Sequence, residues 1–202
     1  MAPKLAPNLL IAAAVVLLAS PALTHGAPEP PQMTPQEKAD MEAYMKAGTP
    51  GAPHKNMAAT AGNYSLKIKS WHDASGQAME ETGSATRKML DDRVLVEDVN
   101  SSMMGAPFTG HGMRGYDNVT GKYWSTWTDS MSTGIMVSEG SCDVQKVCTF
   151  IGSWNDPIKK GPIKARMISR WTSPTTEVFE MYGPGQDGKE FKMMEITYTK
   201  KG

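Results

Sequence analysis

The sequence has no charge excess of either sign and no apolar run long enough to cross a bilayer. Lysine and arginine total 21, and aspartate and glutamate also total 21. The sequence therefore lacks the excess of basic residues that is typical of proteins that bind nucleic acids or an anionic membrane surface. The apolar run at residues 9–19 is shorter than the about 20 residues that a spanning helix needs. Zinc, EF-hand, P-loop and dinucleotide fingerprints are also absent, so we predict no metal and no cofactor.

A short leader precedes the rest of the chain. Residues 1–26 hold one early cation, Lys4, then the apolar run, then small residues and Pro21. This order is typical of a secretory signal peptide. We predict cleavage after Gly26, with Ala22 as the alternative, and a periplasmic or secreted protein. We expect no membrane association after the leader is removed.

Cysteine is scarce, since only Cys142 and Cys148 occur, in CDVQKVC. An exported chain meets an oxidising compartment, where such a pair forms a disulfide. The intervening DVQK is turn-like and its flanks are strand-like, so the two sulfurs should face each other across a hairpin. A redox dithiol is disfavoured, because the spacing is not C-x-x-C and no helix N-terminus is nearby.

Residues 27–52 are predicted to hold a proline-rich lead and one helix, at 34–48. Thr34 is the expected N-cap, Pro35 takes the first helical position and Glu37 completes a capping box. The helix is weakly amphipathic, and we expect it to lie on the domain or on a protein partner. Its apolar face contains Met41, Tyr44 and Met45.

Residues 53–202 are predicted to form one all-β domain. Ten segments resemble strands: 63–71, 80–89, 93–99, 108–116, 122–128, 134–142, 148–154, 164–171, 177–182 and 190–199. Segments 80–89 and 108–116 carry glycines and are expected to be bulged or bent. The connections are too short for parallel crossovers, so the strands must be antiparallel. A meander of this many strands tends to close, which predicts an up-and-down β-barrel of about ten strands.

The strand faces predict a mixed interior. The 164–171 segment places Lys164, Arg166, Ile168 and Arg170 on one side, and Ala165, Met167, Ser169 and Trp171 on the other. Eight-stranded barrels are filled by side chains or hold one small ligand, and ten strands leave more room. We therefore expect any cavity to be part polar and part apolar.

Four stretches carry a specific family pattern: PHKNMAATAGNY (53–64), GSATRKMLDDRVLVED (83–98), MMGAPFTGHGMRGYDNVTGKYWSTWTDSMSTGIMVSEGSCD (103–143) and DGKEFKMMEITYTK (187–200). Together they resemble the bacterial domain of unknown function 1579 family, over residues 53–200. The resemblance implies a lipocalin-like, calycin-type barrel and supplies no catalytic residues. Such barrels open with Gly-x-Trp, whose ring plugs the floor near an arginine or lysine. Here Gly62-Asn63-Tyr64 departs from that pattern, with tyrosine as the plug.

Residues 110–134 concentrate side chains with binding chemistry. Alternation places Tyr123, Ser125, Trp127 and Asp129 on one face, where Trp127 would stack on a small ligand and Asp129 would accept a hydrogen bond. The alternative is that Trp127 fills the core and Asp129 caps the next turn. Residues 117–121, DNVTG, are predicted to be a turn. The candidate ligand-binding residues are His111, Arg114, Tyr116, Tyr123, Trp127, Asp129, Arg166 and Glu195.

His111 is the one histidine within a predicted strand. As a general base it would need a partner within hydrogen-bond reach, and no local Ser-His-Asp or Cys-His pattern supplies one. An enzyme would need distant carboxylates, such as Glu139, Glu180 or Glu195, to meet inside the barrel. Methionine and histidine also suit Cu(I), but methionine is an ordinary filler of irregular cores and no dense repeat occurs.

Three functions remain open on this sequence. The favoured one is a barrel that binds a small, partly apolar molecule, because barrel mouths are usual ligand sites. The alternative is a filled structural or protein-interaction barrel, with the 34–48 helix as the docking element. The second alternative is a hydrolase or isomerase that uses His111 and an interior carboxylate. We name no catalytic residue.

Overall fold

The computed structural model describes residues 33–74, 76–157 and 160–202. The predicted leader lies outside the described residues. Two helices come first, α1 (Pro35–Gly48) and α2 (Ala52–Ala58). Ten strands follow: β1 (Gly62–Ser70), β2 (Met79–Leu90), β3 (Val94–Met103), β4 (Ala106–Asp117), β5 (Lys122–Asp129), β6 (Met136–Cys142), β7 (Cys148–Asp156), β8 (Gly161–Ser173), β9 (Thr176–Pro184) and β10 (Glu190–Lys200). Neither helix, in the described ranges, is long and apolar enough to cross a membrane.

The strands form one closed antiparallel barrel, as predicted. Each strand pairs with the next along the chain, and β1 pairs with β10 to complete the ring. The closing pair runs from Tyr64 opposite Lys200 to Ser70 opposite Met194. Closure leaves no strand edge unpaired, which removes the site at which sheets aggregate.

The expected bulges are in different strands from those predicted. β4 pairs with both β3 and β5 without a register shift, although it carries three glycines. The register shifts lie instead in β10, between Lys192 and Met194, and in β8, between Trp171 and Ser173. The prediction of a bulge was wrong for β4, because its glycines make room for neighbouring rings.

Helix α1 begins with the predicted capping box. The Thr34 amide donates to Glu37 Oε2 over 2.7 Å, and the Glu37 amide donates to Thr34 Oγ1 over 3.2 Å. None of its residues is buried. Side chains from the barrel hold its C-terminal end: Asn118 Nδ2 donates to the carbonyls of Ala47 and Thr49, both over 2.8 Å. Arg93 also donates to the Gly48 carbonyl over 3.0 Å.

Helix α2 packs against β2, β3 and β4, and its His54 and Met57 are buried. It marks what we call the helix end of the barrel, where β1 starts and β10 finishes. The other end, where β1 finishes and β10 starts, is the far end.

Cys142 and Cys148 lie opposite each other at the helix end of β6 and β7 and form a disulfide, which confirms the predicted pairing.

Candidate functional site

The register divides the eight candidate ligand-binding residues between the two sides of the barrel wall. Directly opposed residues of an antiparallel pair share a face. Arg114 lies opposite Ser125, Gly112 opposite Trp127 and Tyr116 opposite Tyr123. When directly opposed residues are followed from one strand pair to the next, this face is continuous with the buried core. Its side chains therefore point into the lumen. The inward-facing candidates are Arg114, Tyr116, Tyr123, Trp127 and Asp129; the outward-facing ones are His111, Arg166 and Glu195.

His111 is on the outer wall, where it lies opposite Asp98 on β3 and Thr128 on β5. Its Nδ1 is 2.8 Å from Asp98 Oδ1, and the side chain is 60% exposed. Glu139, Glu180 and Glu195 also belong to the outer face. An enzyme that uses His111 would need these carboxylates to meet it inside the barrel, and they do not, because all four side chains belong to the outer face.

Glu180 and its neighbours form an ion network on the outer face of β8–β10. Glu180 contacts Arg170 and accepts from Lys192 Nζ over 2.7 Å, and Lys192 also contacts Glu195 at 2.6 Å. Burial raises the pKa of Glu180, but the hydrogen bonds from Arg170 and Lys192 outweigh it and lower the pKa to about 2. These charges satisfy one another, which is typical of a structural network.

Trp127 lies inside the barrel, flat against β4. A β-carbon on Gly110 would overlap the indole, and one on Gly112 would lie 3.3 Å from it. Trp127 Nε1 donates to Asp129 Oδ2 over 2.9 Å, and the Met131 amide donates to Asp129 Oδ1 over 3.0 Å. Both oxygens of Asp129 are thus occupied, by the ring and by the following turn.

An ion cluster closes the lumen at the helix end. The Arg87 guanidinium lies against both the Tyr64 and the Tyr198 ring, 4.9 and 4.4 Å from their centres. Its Nε donates to Glu97 over 3.1 Å and its Nη1 contacts Glu177. Tyr64 is fully buried, so it plugs the floor beside an arginine, as the Gly62-Asn63-Tyr64 pattern implied.

The charges of this cluster are held together by burial and by one another. Burial raises the pKa of Glu177, but Arg87, and then Arg114, outweigh it and hold that pKa below its usual value. Burial also raises the pKa of the Tyr198 hydroxyl, with the charge of Glu97 adding to the effect. Neither Glu97 nor Glu177 was among the site residues predicted from the sequence. Their inward orientation could have been predicted by counting alternate residues along β3 and β9 from the apolar neighbours that face the core.

The far half of the lumen has a different lining. Large apolar side chains face inward there but are only half-buried: Phe108, Trp127, Met136, Trp154, Ile163 and Met181. A cavity of about 410 Å³ lies at this end, bounded by Ile163, Lys164, Gly183 and Glu190 among others. Ile163 and Gly183 belong to the inner face, whereas Lys164 and Glu190 belong to the outer one, so this cavity lies on the rim of the far end formed by β8, β9 and the start of β10.

A smaller cavity, of about 160 Å³, lies outside the barrel between α1, α2 and the outer wall. Gly48, His54, Arg93 and Trp124 are among the residues that line it. His54 Nδ1 accepts a hydrogen bond from the Gly51 amide over 3.0 Å, and its ring meets Tyr116 edge to face. The polar groups that line this cavity mostly hold the two helices in place.

Metal binding by a cluster of ordinary ligands finds no support in the described ranges. No group of three or more histidine, cysteine, aspartate or glutamate side chains is placed there to hold an ion.

Comparison with known proteins identifies a family but no activity. The family model described as "Protein of unknown function (DUF1579)" matches residues 49–200. No curated protein matches the chain significantly. Among solved structures, a redesigned beta barrel is similar at 13% sequence identity and a TM-score of 0.38, over 72% of this chain and 95% of that one.

Proposed function

The chain belongs to the DUF1579 family of proteins of unknown function, and we propose that it is an exported barrel that binds a small, partly apolar molecule in the far half of its lumen. Export is supported by the leader at residues 1–26 and by the Cys142–Cys148 disulfide, since disulfides persist in oxidising compartments.

One observation carries the binding proposal, namely the contrast between the two halves of the lumen. At the helix end the inward-facing Tyr64, Leu66 and Tyr198 are buried. At the far end the large apolar side chains of the inner face remain half-buried, and a cavity lies on the rim there. Apolar surface inside a concave site is the usual lining of a small-molecule pocket.

A matched pair of variants on adjacent residues of β6 tests the proposal. Met136 faces the lumen, whereas Val137 faces outward and is 53% exposed. With the uncharged fluorescent probe N-phenylnaphthylamine, Met136→Glu should weaken binding at least about tenfold, because a charge is placed against an apolar ligand. Val137→Glu adds the same charge on the outer wall and should leave the affinity unchanged.

Thermal unfolding followed by circular dichroism shows whether each variant is folded, and Met136→Gln replaces the charged variant if that one is not. Equal probe affinity for the Met136 and Val137 variants would mean that the probe binds outside the lumen. Native mass spectrometry of protein purified from its own host gives a direct check. A folded protein without any co-purifying small molecule would count against the proposal.

A second candidate, a protein-interaction role for α1, rests on a separate observation. Tyr44 and Met45 in this helix are 79% and 65% exposed, although a hydrogen bond from the Asn118 side chain holds the C-terminal end of the helix on the barrel. Apolar residues grouped on an exposed helix face are typical of a protein contact. Crosslinking in the native host should give a partner adduct that Tyr44→Ser with Met45→Ser abolishes, while lumenal probe binding persists.

A further inference from the structure

Arg114 differs from the other arginines of the chain in what it contacts. Arg87, Arg166 and Arg170 are paired with glutamates, and Arg93 donates to backbone carbonyls. Arg114 faces the lumen, and across the described residues it makes neither a hydrogen bond nor an ion pair. Its guanidinium lies over the Phe150 ring, 5.1 Å from the centre. The five N–H donors of this side chain are therefore unused by the described residues, although its charge helps to lower the pKa of Glu177.

Small side chains lie beside Arg114 towards β5 and β6, while Leu95 lies opposite it on β3. Arg114 lies opposite Ser125, which lies opposite Ser138, so the three form one row across β4, β5 and β6. The two serine hydroxyls are 2.5 Å apart. In the next row Gly140 has no side chain, and the Phe150 ring occupies the space beside it. The guanidinium thus extends across a shallow stretch of wall, with hydroxyls next to it.

The nearest lumenal carboxylate oxygens have partners, except that Glu97 Oε1 is buried and has none among the described residues. Glu97 and Glu177 both contact Arg87, and Glu177 also accepts from Ser169. Asp129 is bound by the Trp127 indole and the Met131 amide. A half-buried arginine with unused donors beside apolar rings is well suited to a planar anion, because its fork matches a carboxylate.

We infer that the lumen binds an amphipathic carboxylate, with the acid group at Arg114 and the apolar body towards the far end. This inference rests on the proposed lumenal binding and adds the chemical class of the ligand. From Arg114 to Phe108 is six residues along β4, which is about 20 Å of strand. An extended chain or fused ring system would fill that length against Trp127, Met136 and Trp154.

Two probes that differ only in charge test the assignment. Dansylaminoundecanoic acid and its methyl ester share the fluorophore and the chain, and only the acid offers a carboxylate. The wild-type protein should bind the acid at least about tenfold more tightly, which is the contribution of one charge-assisted contact. Arg114→Gln should weaken binding of the acid until it equals that of the ester, and Arg114→Lys should retain part of the preference.

Arg166→Gln is the matched control, because Arg166 lies on the outer wall and pairs with Glu190. It should keep the full preference for the acid. Equal binding of acid and ester by the wild-type protein would overturn the inference but leave lumenal binding intact. A preference that survives in folded Arg114→Gln would overturn it too. If neither probe binds, lumenal binding itself fails, and this inference fails with it.

Discussion

The indole of Trp127 occupies the space that a side chain at Gly110 would need, on the neighbouring strand of the inner wall. The ring is thereby held against the backbone of β4 and tied to Asp129 through its Nε1. This contact explains Gly110 and Gly112 of β4, whereas Gly115 makes room for Trp124 on the outer wall.

Gly110→Ala should destabilise the barrel by about 1–3 kcal/mol, because the new methyl group overlaps the indole and forces it away from the wall. Gly112→Ala is the control, since its methyl group would lie 3.3 Å from the ring and needs only a small adjustment. Urea unfolding gives both free energies. Equal losses at the two positions would show that the ring contact does not decide the effect.

Arg87→Met should lower the free energy of unfolding by about 3–5 kcal/mol at neutral pH, because Glu97 and Glu177 lose their partner while Glu177 stays buried. In the wild-type protein the pKa of Glu177 is lowered, so its contribution to stability is lost as pH falls. In the variant, Arg114 and the Ser169 hydroxyl still lower the pKa of Glu177, but the larger effect of Arg87 is lost, so protonation of this carboxylate at low pH relieves part of the destabilisation.

The difference in unfolding free energy between wild type and Arg87→Met should therefore shrink as pH falls from 7 towards 4. Denaturant titrations at several pH values measure it. A difference that stays constant with pH would show that lost packing, and not the uncompensated charge, causes the effect.

Glu180 should stabilise the fold above pH 4.5 and lose this contribution as pH falls towards 2. Its folded pKa of about 2 lies below the usual glutamate value of 4.5, so the unfolded chain takes up the proton first. The shift corresponds to at most about 3 kcal/mol, reduced by the exposure of Arg170 and Lys192.

Glu180→Gln should accordingly flatten the acid side of the stability profile. Glu80→Gln is the control, because Glu80 and Lys69 form an exposed pair, which contributes little. An unaltered acid profile in Glu180→Gln would show that the ion network on β8–β10 does not couple to folding.

Asn118→Ala should loosen α1 without affecting the barrel. The Asn118 amide donates to both the Ala47 and Thr49 carbonyls, and α1 has no buried side chain to hold it otherwise. Hydrogen–deuterium exchange should accelerate across residues 35–48 and remain slow in the strands. Val119→Ala, at an exposed neighbouring position, should leave both rates unchanged. Unaltered exchange of α1 in Asn118→Ala would show that Arg93 alone is sufficient.

The faces of single strands were predictable from the sequence. In β8 the alternation separated Ala165, Met167 and Ser169 from Lys164 and Arg166, and the structure buries the first set. The capping box at Thr34, the DNVTG turn and the Cys142–Cys148 pair were predictable too. Each depends on residues close together in the chain, where short-range sterics and hydrogen bonding decide the conformation.

The grouping of residues from different strands was harder to predict, and His111 shows why. Alternation gives the phase within a strand but not the alignment with its neighbour. The turn at 117–121 pairs Asp117 with Lys122, so counting outward places His111 opposite Thr128 and Trp127 opposite Gly112. Phase and turn together therefore separate His111 from the lumenal face, whereas phase alone does not.

The sequence by itself determined the ten strands, the antiparallel barrel and the family, and it predicts the leader. These depend on composition, on period-2 patterning and on short connections. Only the tertiary structure decided that Arg87 is surrounded by Glu97, Glu177 and two tyrosines, while Arg114 has no polar partner among the described residues. The closure of β1 on β10 brings together residues more than 100 positions apart, such as Leu66 and Tyr198. Such contacts depend on register around the whole ring, which no local pattern encodes.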